Sequence, residues 1–391
     1  MLLAAGQARM SRRHVLQVLG TGAVAAGVGG SVVGCSTPAS DDRVVPVGSG
    51  PTARTRVVLL GTAGGPVFLS PDRAGISTAV VYEDRVYAVD LGYSSHHRLA
   101  ASGVASDGTI SGAFAKLRGV FFTHLHTDHL AEWPALYAMT SGNALGRPQE
   151  DPVRVFGPPN RGVLPRVYPP GRPEPAVVNP DSPTPGIVEM TEHLRRAWAS
   201  DLNDRLRDTA SLGPSALFQV QDIDVSSLWT VSPEGIPPRV AAPIPVWTDG
   251  DVRITATLVD HRPTAPAFAY RFDTPDGSVV VSGDTGPSEN LVELARDTDY
   301  LVHEVIDEVV VAKVVEALPP DQQSSARQHL LGAHTTIPQV GGVAEAAGAR
   351  SLVLTHLFPA NNPVERWKDA GRGYSGELVV GSDLQVLDVN R

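Results

Sequence analysis

The sequence predicts an α/β fold in which short apolar strands alternate with helices. Apolar runs such as residues 117–122 indicate buried strands, and apolar residues with helical spacing, as in residues 130–139, indicate helices. Four of the apolar strands end on a histidine or an aspartate, namely His124, His261, Asp284 and His356. A single histidine at a strand end is usually structural, but strand ends at one edge of a sheet converge on a common crevice. Four such ends therefore predict a functional site at that edge.

The most informative stretch is the loop between the strand 117–122 and the helix 130–139. It carries three histidines and one aspartate within six positions: His124, His126, Asp128 and His129. Residues two apart in an extended segment point the same way, so His124 and His126 can bind one ion while Asp128 and His129 face a second. Imidazole and carboxylate ligands suit zinc, and manganese or iron remain possible. The structural alternative is a polar turn whose hydrogen bonds are all satisfied.

The first 55 residues predict an export signal followed by a linker. Arg12 and Arg13 precede a weakly apolar stretch without acidic residues that ends at Cys35, and Met10 could be the true start. Residues 1–35 resemble a twin-arginine signal peptide with a bacterial lipobox, which predicts lipidation of Cys35 and attachment to a membrane. Plain cleavage nearby and an uncleaved membrane helix are the alternatives. The linker spans residues 36–55, and the protein is expected to be a cell-envelope lipoprotein or a periplasmic or extracellular protein.

Length, charge and cysteine content limit the possible functions. A chain of 391 residues allows one large or two average domains. Its formal net charge of −10 argues mildly against binding long nucleic acids, although a local basic patch stays possible. Cys35 is the only cysteine, so the chain forms no internal disulfide and its metal ligands must be other residues.

Further strands and helices follow in order from residue 56. Apolar and β-branched runs predict strands at 56–61, 77–83, 85–90, 153–156, 252–261, 267–273, 278–282, 300–304 and 351–356. Residues 187–209 predict one helix or a pair, and residues 339–349 a helix rich in small residues. The glycine-rich segment 61–66 lacks a phosphate-binding spacing, so it predicts a tight loop near the site.

Some residues in the middle of the chain have less certain roles. His96 and His97 are interpreted as surface or helix-start residues. Residues 142–250 are interpreted as a variable insertion that could form a lid or a substrate-selecting wall. Candidates to line it are Trp198, Trp229 and Trp247, although packing in the core is the commoner fate of such residues.

From about residue 56 to the C-terminus the chain resembles the metallo-β-lactamase superfamily, and within it the branch of ribonuclease Z, zinc phosphodiesterases and arylsulfatases. The motifs that carry the resemblance are Leu60-Gly61-Thr62, Val89-Asp90-Leu91-Gly92, the His124–His129 loop, His261 with Pro263 and Phe268-Ala269-Tyr270-Arg271, Ser282-Gly283-Asp284-Thr285, Val302-His303-Glu304, Ala333-His334-Thr335-Thr336 and Leu354-Thr355-His356. The resemblance is weakest across residues 142–247. It implies an αββα four-layer sandwich for a hydrolase domain at residues 56–391.

The resemblance also implies the roles of individual residues at a centre for two Zn²⁺ ions, or for Mn²⁺ or Fe²⁺. The first ion would be held by His124, His126 and His261, and the second by Asp128, His129 and His356. Asp284 would bridge both ions. The candidate catalytic residues are Asp128, Asp284 and His334, of which His334 would contact the scissile group or protonate the leaving group. Glu304 is interpreted as a partner that orients an imidazole, with a structural salt link as the alternative.

These features lead to the hypothesis of an exported hydrolase that cleaves phosphodiester or sulfate ester bonds in a small anionic substrate. Ribonuclease Z carries an arm that docks transfer RNA, commonly between its third metal motif and the Ser-Gly-Asp motif. Residues 261–284 have room only for a hairpin, so nucleic acid is expected to be an unlikely partner. The alternatives are a ribonuclease Z-type endoribonuclease, a lactonase-type hydrolase and a non-catalytic metal-bound surface lipoprotein. The sequence leaves the oligomeric state open.

Overall fold

Two β-sheets dominate the computed structural model, which describes residues 53–65, 70–109, 111–139 and 151–389. The predicted signal peptide and Cys35 lie outside the described residues, so export and lipidation stay predictions. No helix within the described ranges is both long and apolar enough to cross a membrane.

Each sheet contains seven of the strands that the described residues form. The first sheet consists of β1 (Thr55–Gly61), β2 (Ser77–Tyr82), β3 (Arg85–Val89), β4 (Leu117–Phe121), β5 (Val153–Gly157), β6 (Phe218–Asp222) and β14 (Val386–Val389). The second consists of β7 (Ile244–Asp249), β8 (Val252–Leu258), β9 (Phe268–Thr274), β10 (Gly277–Val281), β11 (Tyr300–Ile306), β12 (Ser351–Phe358) and β13 (Glu377–Val380). Their spatial orders are β14-β1-β2-β3-β4-β5-β6 and β13-β12-β11-β10-β9-β8-β7.

The helices connect the strands and cover the outer faces of the sheets. They are α1 (Ser95–Ser102), α2 (Thr127–Leu130), α3 (Trp133–Met139), α4 (Ile187–Ala197), α5 (Ala199–Asp208), α6 (Pro214–Leu217), α7 (Glu289–Leu294), α8 (Glu308–Glu316), α9 (Pro320–Gly332), α10 (Ile337–Ala347) and α11 (Val364–Trp367). The sequence pattern at 187–209 is a pair of helices, α4 and α5, and the pattern at 130–139 corresponds mainly to α3.

Apolar side chains from both sheets meet in one central core. Phe121 of the first sheet lies in an aromatic cluster, with ring centroids 5.2 Å from Phe156, 5.4 Å from Tyr270 and 5.3 Å from Phe272. All four of these side chains are buried. Sheets that pack face to face share such a core, and the outer face of each sheet then needs a second apolar layer.

The helices supply that second layer. Leu99 of α1 and Trp133 of α3 are buried against the outer face of the first sheet. Leu291 of α7 and Val340 of α10 do the same on the second sheet. The order of layers is helix, sheet, sheet, helix, and the predicted αββα sandwich is confirmed.

Residues 151–250 contribute to the sheets as well as to the surface, since β5 and β6 extend the first sheet and β7 extends the second. The remainder forms α4 to α6 and a proline-rich loop. Trp229 and Trp247 pack against the central core. Of the two interpretations of these residues, packing in the core is therefore the one that the structure supports. Trp198 is 43% exposed between α4 and α5.

Candidate metal centre

The predicted ligands come from both sheets and meet at one edge of the sandwich. His124, His126, Asp128 and His129 follow β4, His261 follows β8, Asp284 follows β10, and His356 lies within β12. Parallel pairing of β10, β11 and β12 places the ends of these strands at the same edge. The convergence of strand ends that the sequence predicts is therefore present.

Two groups of side chains could each hold a metal ion, and they share one member. The first comprises His124, His126, His261 and Asp284, and the second Asp128, His129, Asp284 and His356. Within each group the potential ligand atoms lie within 4.8 Å of one another. The structure thus brings all seven predicted ligands together, in the two sets that the resemblance implies.

Asp284 lies between the two groups. Its Oδ2 is 3.2 Å from Nε2 of His129 and 3.9 Å from Nε2 of both His124 and His261. Its Oδ1 is 3.4 Å from Nε2 of His356. A carboxylate with both oxygens turned toward imidazole nitrogens of different groups has the position of a bridging ligand.

In three of the imidazoles, those of His126, His129 and His261, one ring nitrogen contacts another polar group, which leaves the other nitrogen directed at the site. Nδ1 of His129 lies 2.8 Å from Oδ2 of Asp90, and Nδ1 of His261 lies 2.8 Å from the carbonyl oxygen of Ala333. Nε2 of His126 lies 2.8 Å from Oγ1 of Thr264. Such partners fix the tautomer and orientation of metal-binding histidines.

Unsatisfied buried atoms support the fit of a metal at this place. Among the described residues, Nε2 of His129 and Oδ1 of Asp284 are buried and make no hydrogen bond. Buried polar atoms normally have a partner, so two such atoms within one ligand group fit a place where a cation could bind. The donor set of imidazoles and carboxylates is that of a zinc-type site.

Burial and charge set the protonation of the ligands. Burial lowers the pKa of His124 and His261 well below the ordinary value, and lowers the pKa of His126 to about 4. These rings are therefore neutral at pH 7 and present a lone pair, as metal binding requires. Burial alone would raise the pKa of Asp284, but the neighbouring imidazoles of His129 and His356 lower it well below its usual range.

His129 has the opposite shift. Burial alone would lower its pKa, but the carboxylates of Asp284, Asp90 and Asp128 raise it well above the ordinary value. A divalent cation among the same carboxylates would displace this proton, because only the neutral imidazole can bind a metal.

His334 stands beside the two groups and is paired with Glu304. Its Nδ1 lies 3.1 Å from Oε1 of Glu304 and 3.9 Å from Oδ2 of Asp284. Burial lowers the pKa of His334, but the carboxylates of Glu304 and Asp284 outweigh it and raise the pKa to about 9. His334 therefore holds a proton at neutral pH next to the place where the metal ligands converge. The partnership predicted for Glu304 is present.

Two further contributors were given no role from the sequence. Asp90 directly follows β3 and accepts hydrogen bonds from the backbone N–H and the hydroxyl of Thr123, both at 2.8 Å, in addition to its contact with His129. In the sequence, Asp90 could have been recognised by the same pattern as Asp284, because both aspartates follow a buried strand. His329 of α9 has no such signal, because its position follows from the packing of a helix.

The glycine-rich segment lies against the site, which confirms the predicted tight loop. A Cβ atom on Gly64 would lie 2.5 Å from Nδ1 of His356, so only a glycine leaves room for that ring. His96 and His97 lie in the first turn of α1, where His96 stacks on Phe114 at 5.1 Å between ring centroids. Their interpretation as helix-start residues is confirmed.

The chain is similar in sequence to ribonuclease Z proteins over almost their whole length. It is 30% identical over 337 residues to "Ribonuclease Z" of Mycobacterium avium (strain 104), which covers 85% of this chain and 98% of the relative. No protein-family model matches the chain.

Solved structures agree on the fold. Human tRNase Z, short form, has a TM-score of 0.52 and 17% sequence identity, with 86% of this chain and 100% of that chain covered. The metallo-β-lactamase fold protein YhfI from Bacillus subtilis has a TM-score of 0.51 and 18% identity, with 85% and 99% covered. At these identities the likeness supports the metallo-β-lactamase fold alone.

The similarity corrects one prediction. The sequence relative is a ribonuclease by name, so the expectation of a small anionic ester as substrate, with nucleic acid an unlikely partner, is wrong. The expectation rested on the short segment 261–284, on the predicted export signal and on the formal net charge of −10, which is a sum over the whole chain. The surface beside the metal centre is locally different, since Arg161, Arg166, Arg172 and Arg262 line its cavities.

The fold, the shared geometry of the two ligand groups and the sequence similarity agree with one another. The alignment to the ribonuclease Z of M. avium covers 98% of that protein, so it spans the whole domain and is no isolated motif. The chain therefore belongs to the ribonuclease Z branch of the metallo-β-lactamase superfamily.

Proposed function

We propose that the protein is a metal-dependent endoribonuclease of the ribonuclease Z type, which hydrolyses phosphodiester bonds in RNA. The main support for the proposal is the position of Asp284. Its carboxylate is shared by the two ligand groups and lies 3.9 Å from the protonated His334. The similarity to ribonuclease Z supports RNA as the substrate. No contact in the described residues speaks specifically for sulfate esters or lactones.

The chemistry of the ligands favours two zinc ions, with manganese or iron as alternatives. His124, His126 and His261 would hold one ion, and Asp128, His129 and His356 the other, with Asp284 shared. When bound, such a pair of ions lowers the pKa of a water and withdraws charge from a phosphoryl oxygen.

The residues of the chain account for the proton movements. Burial would raise the pKa of Asp128, but the imidazoles of His129 and His356 outweigh it and lower the pKa, so its carboxylate is ionised and can orient the attacking water by accepting a hydrogen bond. One proton of that water passes to the solvent. The water oxygen bonds to phosphorus and the bond from phosphorus to the leaving oxygen breaks. His334 gives its proton to that oxygen, and Glu304 keeps the imidazole charged until then.

The test is the Asp284→Asn variant, assayed on a transfer-RNA precursor and on bis-p-nitrophenyl phosphate. We expect both activities to fall by roughly two orders of magnitude or more, since even the outer partners of metal ligands are worth 10–100-fold. The control is Asp208→Asn, which makes the same change at the exposed end of α5. Metal content by mass spectrometry should be two equivalents per chain in the control. Retained RNA cleavage in Asp284→Asn would refute the proposal.

A further inference from the structure

A cavity of about 560 Å³ lies directly beside the metal centre. His329 of α9 lines it, and the His329 ring centroid lies 5.9 Å from that of His126 and 6.0 Å from that of His261. Arg262 and Pro263, which follow His261 in the chain, line it as well. A phosphodiester held at the metal centre would therefore extend its neighbouring nucleotide toward this cavity.

The proline-rich loop of residues 158–186 forms the opposite wall of the cavity. Hydrogen bonds to two other parts of the chain hold this loop in place. Arg161 donates hydrogen bonds to the carbonyl oxygens of Pro263, Ser232 and Pro233, the last two at 2.9 and 3.0 Å. The hydroxyl of Tyr168 lies 3.3 Å from Oγ of Ser324 on α9. The loop is thus tied to the segment after His261 and to α9, so the cavity is formed before a ligand binds.

The lining has the chemistry of a nucleotide site. The guanidinium carbon of Arg166 lies 5.0 Å from the ring centroid of Tyr168, and Arg172 lines the same cavity. Aromatic rings and guanidinium planes stack on bases, and the cations also attract phosphate. Glu174 is the one acidic residue among the described residues of the lining, and Arg262 is engaged by Asp260. The volume falls within the range of about 300–1,000 Å³ that is usual for ligand pockets.

We infer that this cavity binds one unpaired nucleotide of the RNA next to the scissile phosphate, with Tyr168 and His329 against the base and Arg166 and Arg172 near the phosphate. A base that is stacked inside a duplex cannot reach such a side chain, whereas a single-stranded segment presents its bases freely. The inference rests on the proposed ribonuclease function and specifies where that function recognises its substrate. The loop 158–186 would then hold RNA in this protein, in which the segment 261–284 has room only for a hairpin and not for a docking arm.

The experiment measures steady-state cleavage of an RNA with a single-stranded segment beside the scissile bond. We expect Tyr168→Ala to raise KM about fivefold or more, because a base stacked on an aromatic ring contributes that much or more to affinity. Tyr168→Phe keeps the ring and loses only the hydroxyl contact to Ser324, so it should restore KM to within about twofold of the wild type. The rise in KM for RNA should be at least several times larger than that for bis-p-nitrophenyl phosphate.

Arg172→Ala supplies a second measurement that does not depend on folding, because Arg172 is exposed. Loss of one phosphate contact should reduce the slope of log KM against log salt concentration by about one. The matched controls are Trp198→Ala, an aromatic residue that is 43% exposed, and Arg207→Ala on the exposed face of α5. Neither residue lines the cavity, and both variants should keep the wild-type KM.

Each outcome separates the two proposals. Wild-type cleavage of RNA together with an unchanged KM in Tyr168→Ala and an unchanged salt slope in Arg172→Ala would overturn the nucleotide site and leave the ribonuclease proposal intact. An equal rise in KM for Tyr168→Phe and Tyr168→Ala would overturn base stacking on this ring. Hydrolysis of bis-p-nitrophenyl phosphate without cleavage of RNA by the wild type would overturn both.

Discussion

Three of the imidazoles at the centre depend on residues from other parts of the chain. Asp90 of the first sheet orients His129, the carbonyl of Ala333 orients His261, and Gly64 makes room for His356. The ligands themselves were predictable, because their spacing and their position at strand ends are properties of the sequence. Their orienting partners were not, because a hydrogen bond between distant residues has no local pattern.

A substitution at Gly64 tests this dependence. In Gly64→Ala the added methyl group would overlap with the ring of His356 and displace it from Asp128 and Asp284. We expect about a 10–100-fold loss of affinity for one of two metal ions, as is usual when the surroundings of a ligand are disturbed. Metal content after dialysis against a weak chelator measures the effect.

The control is Gly342→Ala in α10, where the added methyl group meets no atom within 4 Å. This variant should retain both ions. If Gly64→Ala retained two ions as well as Gly342→Ala does, the expected dependence of metal binding on the position of the His356 ring would be wrong.

At the scale of elements, the hairpin of α8 and α9 separates β11 from His334 and brings His329 to the centre. The sequence pattern does not reveal α9, because this helix has no buried residue and hence no apolar stripe. Its partner α8 directly follows Asp307, whose carboxylate accepts hydrogen bonds from the N–H of Val309 at 3.0 Å and from Arg366 at 2.8 and 2.9 Å. Asp307 is buried, so this polar group anchors the start of the hairpin.

The anchor predicts a pH dependence of stability. Burial raises the pKa of Asp307, but the hydrogen bonds from Arg366 and Val309 outweigh it and lower the pKa below the unfolded value of about 3.9. A depressed carboxyl pKa contributes stability that is present above about pH 4 and is lost as the pH falls through the folded pKa. Asp307→Asn should therefore lower the free energy of unfolding at pH 7 by about 1–3 kcal/mol, and the difference should shrink below about pH 4.

Urea titrations at both pH values measure this difference. Asp204→Asn, at an exposed position in the middle of α5, is the control and should match the wild type at either pH. If Asp307→Asn lowered the free energy of unfolding by the same amount at both pH values, the charge of Asp307 would not be what anchors the helix.

At the scale of the whole molecule, the metal centre joins the two sheets. His124 and His129 come from the first sheet, whereas His261, Asp284 and His356 come from the second. Ions held by both sets stabilise the folded state only, because the unfolded chain does not bring these residues together.

Removal of metal should therefore lower the thermal midpoint of unfolding. At a free metal concentration 100-fold above the dissociation constant, each ion contributes about 2.7 kcal/mol to stability. Calorimetry with and without added zinc after chelation checks this, and the shift should be reversed on return of the metal. The Asp284→Asn variant should show a smaller shift, and an identical one would contradict the bridging position of that carboxylate.

The net charge of the whole molecule does not describe the surface beside the metal centre. The net charge is negative, while Arg166 and Arg172 of the loop 158–186 line one cavity there. Electrostatic attraction of a phosphate acts over about 8–10 Å at moderate salt. The charges within that distance of the site therefore determine whether a phosphate is attracted, and the net charge of the whole chain does not.

Strand periodicity and the residues at strand ends are local in the chain, so they sufficed to predict the α/β class, the types of the candidate metal ligands and the edge at which they gather. The residues that orient those ligands, the approach of His329 on α9 to the centre and the cationic wall of the loop 158–186 became known only from the fold. These features arise from contacts between segments far apart in sequence, and no local pattern of residues encodes the register of such contacts.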